Sequence, residues 1–210
     1  MLEKEYINYS LNKLRSHGVI IVPTDTYYGI SCDAFDSIAV DKIFKIKRRE
    51  KNQLLPVLIS DKNELQKLGI KNTKILDFLT DNFWPGPLTI ILKTEKRFPE
   101  TIQDNFGFVG FRVPDISFTR NLIKELGNPI TGTSANISGK QESKDISVIK
   151  SYFKEGEIDF YVDLECGEAK SSSTVIKIID NKFSIIRQGA IMKEEIMKKV
   201  PQLIYSEDLI

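Results

Sequence analysis

Three polar segments, each next to a short apolar run, contain most of the residues that could do chemistry in this chain. They are Pro-Thr-Asp-Thr-Tyr-Tyr-Gly at residues 23–29, Lys-Arg-Arg at 47–49 and Thr-Ser-Ala-Asn-Ile-Ser-Gly at 133–139. Each is rich in hydroxyls, fixed cations or amides. In α/β proteins, sites for anionic small molecules lie where such segments follow strands or flank helices. The pattern therefore predicts a site for an anionic ligand.

In the first segment, Pro23 ends an apolar run, and Thr24 and Thr26 are two residues apart. In extended backbone their hydroxyls would face the same way, so both could meet a ligand. Gly29 would let a ligand approach the backbone closely. The alternative is a strand-to-helix turn in which Thr and Asp only cap, since both residues favour turns. Taken alone, this segment does not separate the two interpretations.

The basic triplet follows a helical face marked by Ile43 and Ile46. Cations at a helix C-terminus are favoured by the helix dipole, so capping is the simpler interpretation of a lone triplet. The other interpretation is that Lys47 and Arg49 project into the same cavity as Thr26. There, Arg would offer a planar fork to phosphate or carboxylate, and Lys a point charge.

Two further arginines lie at the ends of predicted strands. Burying Arg112 among the apolar residues of its strand is costly without an anionic partner, which is either a ligand or an internal carboxylate. The strand stops at Pro114, at the edge of the sheet, which favours the ligand. Arg187 closes the last predicted strand. The serines at 171–173 are typical of a flexible loop.

The third segment and the residues just before it contain many hydroxyl and amide side chains. Such groups can bind the sugar and phosphates of a nucleotide without adding charge. The alternative is a polar loop that satisfies its own backbone groups. The set consists of Thr131, Thr133, Ser134, Asn136 and Ser138.

Composition excludes several classes of protein. A net charge of +1 over 210 residues does not indicate a non-specific nucleic-acid binder. The two cysteines lack metal-ligand spacing, so neither a zinc site nor a disulfide framework is expected. No signal segment and no apolar run of about 20 residues is present, so a cytoplasmic location without membrane contact is expected.

The only histidine, His17, is expected at the surface or in a cap, so a Ser/His/Asp triad is not expected. An enzyme with this sequence would act through positioning and fixed positive charge.

Apolar periodicity predicts helices and strands that alternate early, followed by a late hairpin with its turn at 180–182. This predicts an α/β fold: a single-domain twisted mixed sheet with flanking helices over residues 1–199, with 200–210 as a C-terminal tail. Predicted strands cover residues 19–22, 56–59, 88–92, 109–112, 129–131, 160–162, 174–179 and 183–187. Predicted helices include 37–48, 147–153 and 194–199, with further helical faces around 7–14, 65–68, 75–79 and 122–126.

Seven ordered motifs together resemble the threonylcarbamoyl-AMP synthase family, which has the YrdC-like domain. The resemblance covers about residues 8–191 and fits the short form of the family, without an extra C-terminal domain. The chain departs from the usual pattern at Gln53, Leu58 and Phe108, where details of the nucleotide pocket would differ. The matching segments are 23–29, Lys47 with Arg49, 84–89, 112–114, 134–139, 173–175 and 187–189.

The resemblance implies a twisted sheet curved around a positively charged central cavity. It also implies a nucleotidyltransferase that joins L-threonine, bicarbonate or CO2, and ATP into threonylcarbamoyl-AMP and pyrophosphate. The product would feed the threonylcarbamoyladenosine modification of tRNA, with tRNA or downstream tRNA-modification proteins as further partners. Mg²⁺ would arrive with ATP, and no protein metal site is expected.

By the same resemblance, each site residue has an expected role. Those that would bind threonine are Thr26, Arg112, Ser134 and Ser173. Those that would bind ATP are Lys47, Arg49, Gln53, Asn136 and Arg187. The catalytic residues would be Lys47, Arg49 and Arg112.

Two other functions compete with this one. A non-catalytic RNA-binding module could use the same basic cavity, but the low net charge and the lack of interleaved aromatic and basic residues argue against it. The related domain of hydrogenase-maturation carbamoyltransferases comes with zinc-finger-like cysteines and an acylphosphatase module, which this chain lacks. The enzyme hypothesis requires Lys47, Arg49, Arg112 and Arg187 to converge on one cavity.

Overall fold

The computed structural model describes residues 1–50, 53–199 and 205–206. Its helices are α1 (Glu3–Leu14), α2 (Ser37–Lys47), α3 (Glu64–Lys67), α4 (Lys74–Phe83), α5 (Ser117–Leu126), α6 (Ile146–Tyr152) and α7 (Lys193–Lys199). Its strands are β1 (Ile20–Val22), β2 (Gly29–Ser31), β3 (Val57–Leu58), β4 (Leu88–Lys93), β5 (Phe108–Arg112), β6 (Ile130–Thr131), β7 (Thr133–Ser134), β8 (Phe160–Tyr161), β9 (Thr174–Ile179) and β10 (Lys182–Arg187). Every predicted strand is confirmed to within about one residue at each end.

The strands form two sheets, whereas the sequence predicted one. The first has the order β7-β2-β1-β8, and the second the order β10-β9-β4-β5-β3-β6, with parallel and antiparallel neighbours in both. The mixed α/β fold with flanking helices is therefore confirmed, but the single sheet is wrong. One short segment contributes a strand to each sheet. Its first part, β6, pairs with β3 in the second sheet, and after one intervening residue β7 pairs with β2 in the first sheet.

The strand β2 was not predicted, and it changes the interpretation of the first polar segment. Residues 23–28 form the connection between antiparallel strands β1 and β2, with Val22 opposite Gly29. The strand-to-helix turn considered as an alternative is therefore wrong. A three-residue strand (Gly-Ile-Ser) is too short for apolar alternation to reveal it.

The apolar run of β1 is explained by burial on both of its faces. Ile21 belongs to the larger apolar cluster of the molecule. Ile20 and Val22 belong to a smaller cluster that β1 shares with α1 and α5, and all three side chains are fully buried. The start of the first polar segment is thus fixed by packing from both sides.

Two local predictions about turns and surface positions are confirmed. Asp180 and Asn181 adopt φ of 48° and 59° between β9 and β10, as the mirror-image turns of tight hairpins require. His17 is a surface residue, and its Nδ1 lies 2.6 Å from Asp36 Oδ2. No helix in the described ranges is long and apolar enough to cross a membrane.

Only part of the predicted tail 200–210 can be placed. Ser206 donates its backbone N–H to the carbonyl of Phe183 at 3.0 Å, and the rings of Tyr205 and Phe183 meet edge to face at 5.4 Å. The other tail positions lie outside the described residues. The proposed boundary at residue 199 stays a prediction.

Candidate active site

A cavity of about 320 Å³ lies over one face of the second sheet. Its floor is the face of β5, β4 and β9, because Ile91 is the register partner of both Gly110 and Lys177, and all three line the cavity. The predicted site residues in its lining are Thr26, Arg49, Arg112, Ser134, Ser173 and Arg187. Lys47, Gln53 and Asn136 are outside the lining.

The sequence offered two alternatives for Arg112, an internal carboxylate or a ligand, and the structure is compatible with both. Its Nη2 lies 2.6 Å from Asp25 Oδ1 in an ion pair whose two side chains are about nine-tenths buried. Its Nε donates to the carbonyl of Gly86 at 3.0 Å, and Arg112 is still one of the residues that line the cavity. Burial lowers the pKa of Arg112, and the Asp25 carboxylate opposes that shift. The internal carboxylate therefore fixes a cation that a ligand can reach.

The two threonines of the first segment form a directed chain of hydrogen bonds. Thr24 Oγ1 donates to the carbonyl of Tyr27 at 2.6 Å, which uses its only hydrogen. Thr26 must then be the donor in the 2.9 Å contact between the two hydroxyls. Arg112 Nη1 donates to Thr26 Oγ1 at 3.3 Å. The hydroxyls of Thr24 and Thr26 are therefore in direct contact, and Thr26 is positioned beside the guanidinium of Arg112.

A β-bulge aims Arg187 into the cavity. Ile185 is opposite Ile176, but the register then shifts so that Arg187 is opposite Val175. Val175 lines the cavity, whereas regular pairing would put Arg187 beside the buried Thr174 on the core face. Arg187 Nη2 donates to the carbonyl of Ser173 at 2.8 Å.

Ser173 is tied to the neighbouring strand as well as to Arg187. Its hydroxyl lies 2.8 Å from Thr89 Oγ1, and it is buried. The serine run that the sequence suggested to be a flexible loop is therefore held in place at this residue. Ser172 is also held, since its hydroxyl donates to Glu142 Oε2 at 2.5 Å.

Gly189 permits this arrangement, because a Cβ there would lie 2.5 Å from the carbonyl carbon and oxygen of Ser173. We expect Gly189→Ala to displace the backbone under Ser173, to destabilise the fold by about 1–3 kcal/mol, and to reduce activity. Denaturant unfolding and turnover would measure the two effects. Gly29→Ala is the stability control, since its Cβ would meet nothing closer than 3.6 Å. Equal stability of the two variants would contradict the prediction.

Lys47 lies behind the cavity wall and holds the third polar segment. Its Nζ donates to the carbonyl of Ser134 at 2.5 Å, and to the carbonyl and Oδ1 of Asn136 at 2.7 and 3.1 Å. The side chain is almost fully buried. Neither helix capping nor direct projection into the cavity describes this position. Burial, with a smaller contribution from Arg49, lowers the pKa of Lys47 to about 7.

Arg49 reaches the cavity because α2 ends abruptly. Arg48 adopts φ of 52°, which stops the helix and turns the chain. Arg49 then donates to the carbonyls of Gln53 and Leu54 at 3.1 and 3.2 Å, and to Thr133 Oγ1 at 3.3 Å. Gln53 is exposed and contributes its backbone carbonyl here.

Arg49 and Arg187 place two like charges on the wall of one cavity. Burial lowers the pKa of Arg49, and the like charge of Arg187 lowers it further. Across the described part of the chain, no carboxylate forms an ion pair with either guanidinium. Two cations that share a cavity and have no ion-paired carboxylate among the described residues provide a place for an anionic ligand.

The sequence also left some lining residues unassigned. Lys177 lines the cavity. The sequence feature that could have identified it is a single charged residue in the strand Thr174–Ile179, at a position that is not buried. Glu142 and Asp104 add carboxylates to the wall. Cys32 is buried and free, and burial raises the pKa of its thiol, so this cysteine is not poised as a nucleophile.

The Sua5/YciO/YrdC family model, described as telomere recombination, matches residues 12–189. The chain belongs to this family. A protein of Methanocaldococcus jannaschii named putative threonylcarbamoyl-AMP synthase is 37% identical over 90% of this chain and 87% of its own length. The threonylcarbamoyl-AMP synthase of Pyrococcus abyssi is 30% identical over 96% of this chain and 59% of its own length.

Solved structures of the family share the fold. The crystal structure of Pyrococcus abyssi Sua5 complexed with L-threonine matches with a TM-score of 0.89 at 28% identity, over 98% of this chain and 60% of that one. The family resemblance drawn from the seven motifs is therefore confirmed, together with the mixed α/β fold.

Proposed function

We propose that this chain is an L-threonylcarbamoyladenylate synthase that joins L-threonine, bicarbonate or CO2, and ATP and releases pyrophosphate. The observation that carries the proposal is the convergence of Arg49, Arg112 and Arg187 on one cavity. Relatives that cover most of the chain are named threonylcarbamoyl-AMP synthase, which favours the enzyme over an RNA-binding module. A cytoplasmic location and a role in tRNA modification, with tRNA or downstream proteins as partners, belong to the same proposal.

Threonine would bind at the Arg112 end of the cavity. Arg112 would clamp the carboxylate, with hydroxyls of Thr26, Ser134 and Ser173 around the amino acid. The guanidinium is already immobilised by Asp25 and by the Gly86 carbonyl, so little side-chain entropy is lost on binding. This preorganisation supports the role of Arg112 as the threonine anchor.

ATP would bind to Arg49 and Arg187, neither of which forms an ion pair with a carboxylate among the described residues. The threonine nitrogen attacks the carbon of CO2 and loses a proton to solvent, which gives an N-carboxylate. An oxygen of that carboxylate attacks the α-phosphorus, and pyrophosphate leaves. Because two anions must meet, the fixed cations offset their repulsion. No histidine is needed for either step.

The remaining predicted residues would act at the edges of the ATP site. Lys47 and Asn136 would hold the segment that carries Ser134, and Gln53 would hold Arg49 through its carbonyl. Mg²⁺ would come with the ATP phosphates and keep several waters, as Mg²⁺ usually does. Among the described residues there is no cluster of three His, Cys, Asp or Glu that could hold a metal ion.

Reconstitution with the purified chain tests the proposal. We expect pyrophosphate release, and threonylcarbamoyl-AMP detectable by mass spectrometry, only when ATP, L-threonine and bicarbonate are all present. Pyrophosphate release that does not depend on threonine would contradict the assignment. RNA binding without affinity for ATP or threonine would favour the RNA-binding module.

The pKa of Lys47 predicts a pH dependence. Three acceptor oxygens surround its Nζ, so all three ammonium hydrogens are used below pH 7, and one is lost as the pH rises through about 7. We expect kcat/KM for ATP to fall by about tenfold between pH 6 and 8.5 as the segment at Ser134 loosens.

Lys47→Met is the matched comparison for this profile. It should be less active at low pH and should lack this descending limb. The phosphates of ATP titrate identically in assays of both proteins, so the difference between the two profiles is the readout. Parallel profiles would contradict a role for the Lys47 proton.

A further inference from the structure

Lys177 lies on the cavity floor level with Gly110, two residues along β5 from Arg112, and its side chain extends to Phe108 at the far end of that strand. In β9 the even-numbered side chains from Thr174 to Ile178 are buried, and the odd-numbered Val175 and Lys177 line the cavity. Its ammonium is 4.5 Å from the centre of the Phe108 ring. Phe108 and Arg112 occupy the two ends of β5, about 13 Å apart at four residues of strand rise. The cavity therefore has a cation at each end.

The charge of Lys177 is available to a ligand. Within the described ranges, no carboxylate forms an ion pair with it. Asp104 also lines the cavity, but its Oδ1 accepts the backbone N–H groups of Phe106 and Phe108 at 2.9 and 2.8 Å. The contact of Lys177 is thus an aromatic face, which a charge-assisted bond to phosphate readily exceeds in strength.

The direction of the reaction decides which ligand group would reach this end. In an in-line displacement at phosphorus, the leaving group departs on the side opposite the attacking oxygen. If threonine is anchored at Arg112, the attacking carboxylate approaches the α-phosphorus from that end. The β- and γ-phosphates then extend toward the other end of the floor.

We propose that Lys177, packed over Phe108, binds the β- and γ-phosphates of ATP and stabilises the charge that develops on the departing pyrophosphate. This role rests on the proposed function, because it takes the placement of threonine from it. A compact ammonium with three donors suits a group whose oxygens change position as it leaves. The position is unusual for a lysine, since its strand neighbours along the chain are apolar.

Calorimetric titration of the full chain with inorganic pyrophosphate and, separately, with AMP tests this role. Lys177→Met should weaken pyrophosphate binding by about tenfold or more and change AMP binding less than about twofold. Lys177→Arg should keep most of the affinity. In turnover, the methionine variant should raise KM for ATP and lower kcat while KM for threonine stays constant. A residue that only packs on Phe108 would not separate pyrophosphate from AMP in this way.

Lys93→Met is the matched control, since Lys93 is exposed on the neighbouring strand, is the register partner of Phe108 and is outside the cavity lining. It should bind pyrophosphate like the wild type. Unchanged pyrophosphate binding in Lys177→Met, an equal loss of AMP binding, or no pyrophosphate binding by the wild type would each overturn the inference. If the wild type forms no threonylcarbamoyl-AMP, the proposed function fails instead, and that assay does not depend on the lysine variants.

Discussion

Arg112→Ala is expected to abolish threonylcarbamoyl-AMP formation and also to destabilise the fold. The substitution removes the proposed anchor of the threonine carboxylate and leaves Asp25 buried without its cation. Breaking one side of a buried ion pair costs about 3–5 kcal/mol. Asp25 Oδ2 already has no hydrogen-bond partner, so the carboxylate depends on Arg112 and on the Asp115 N–H, which donates to Oδ1 at 3.0 Å. Pyrophosphate release and denaturant unfolding would measure the two losses.

A double variant separates catalysis from stability. Asp25→Leu combined with Arg112→Met replaces the buried pair by apolar side chains, which is often neutral or stabilising. We expect the double variant to recover most of the lost stability and none of the activity. Threonine-dependent pyrophosphate release by either variant would refute the role of Arg112. Recovery of activity with stability would show that Arg112 acts only through the fold.

Local patterns were sufficient for the elements that carry the site. Apolar runs located β1, β5 and β9, and a basic triplet after a helical face located the end of α2. These signals are local because burial and helix geometry act over a few residues. The turn at Asp180 and Asn181 was also predictable, since few residues tolerate positive φ.

The positions of the cations could not be predicted in the same way. Arg187 faces the cavity only because a bulge shifts the register after Ile185, and nothing in the residue types there demands a bulge. Lys47 was expected in the cavity, but its Nζ is taken by oxygens some 87 to 89 residues away in the chain. Such contacts depend on tertiary structure and leave no local pattern.

The division into two sheets was hidden for a related reason. A segment of five residues, 130–134, supplies one strand to each sheet, with Gly132 between them. A Cβ at Gly132 would lie 2.7 Å from Leu58 Cγ and Cδ2, so any other residue there would force the Leu58 side chain to move. The sequence alone does not show whether Gly132 ends one strand or separates two strands that belong to different sheets. The sheets therefore depend on a contact between β3 and a residue that is 74 positions away from Leu58 in the chain.

Arg49→Ala is expected to weaken ATP binding by about 10- to 100-fold, the range for hydrogen bonds to a charged partner. Threonine binding should change little, because the Arg49 guanidinium is held by Thr133, whereas the Arg112 guanidinium is held by Asp25. Arg48→Ala is the matched control, since this neighbour is exposed and outside the cavity lining. Equal ATP affinity in the two variants would contradict a nucleotide contact. A loss in Arg49→Ala that shrinks with added salt would show that the guanidinium acts mainly through its charge.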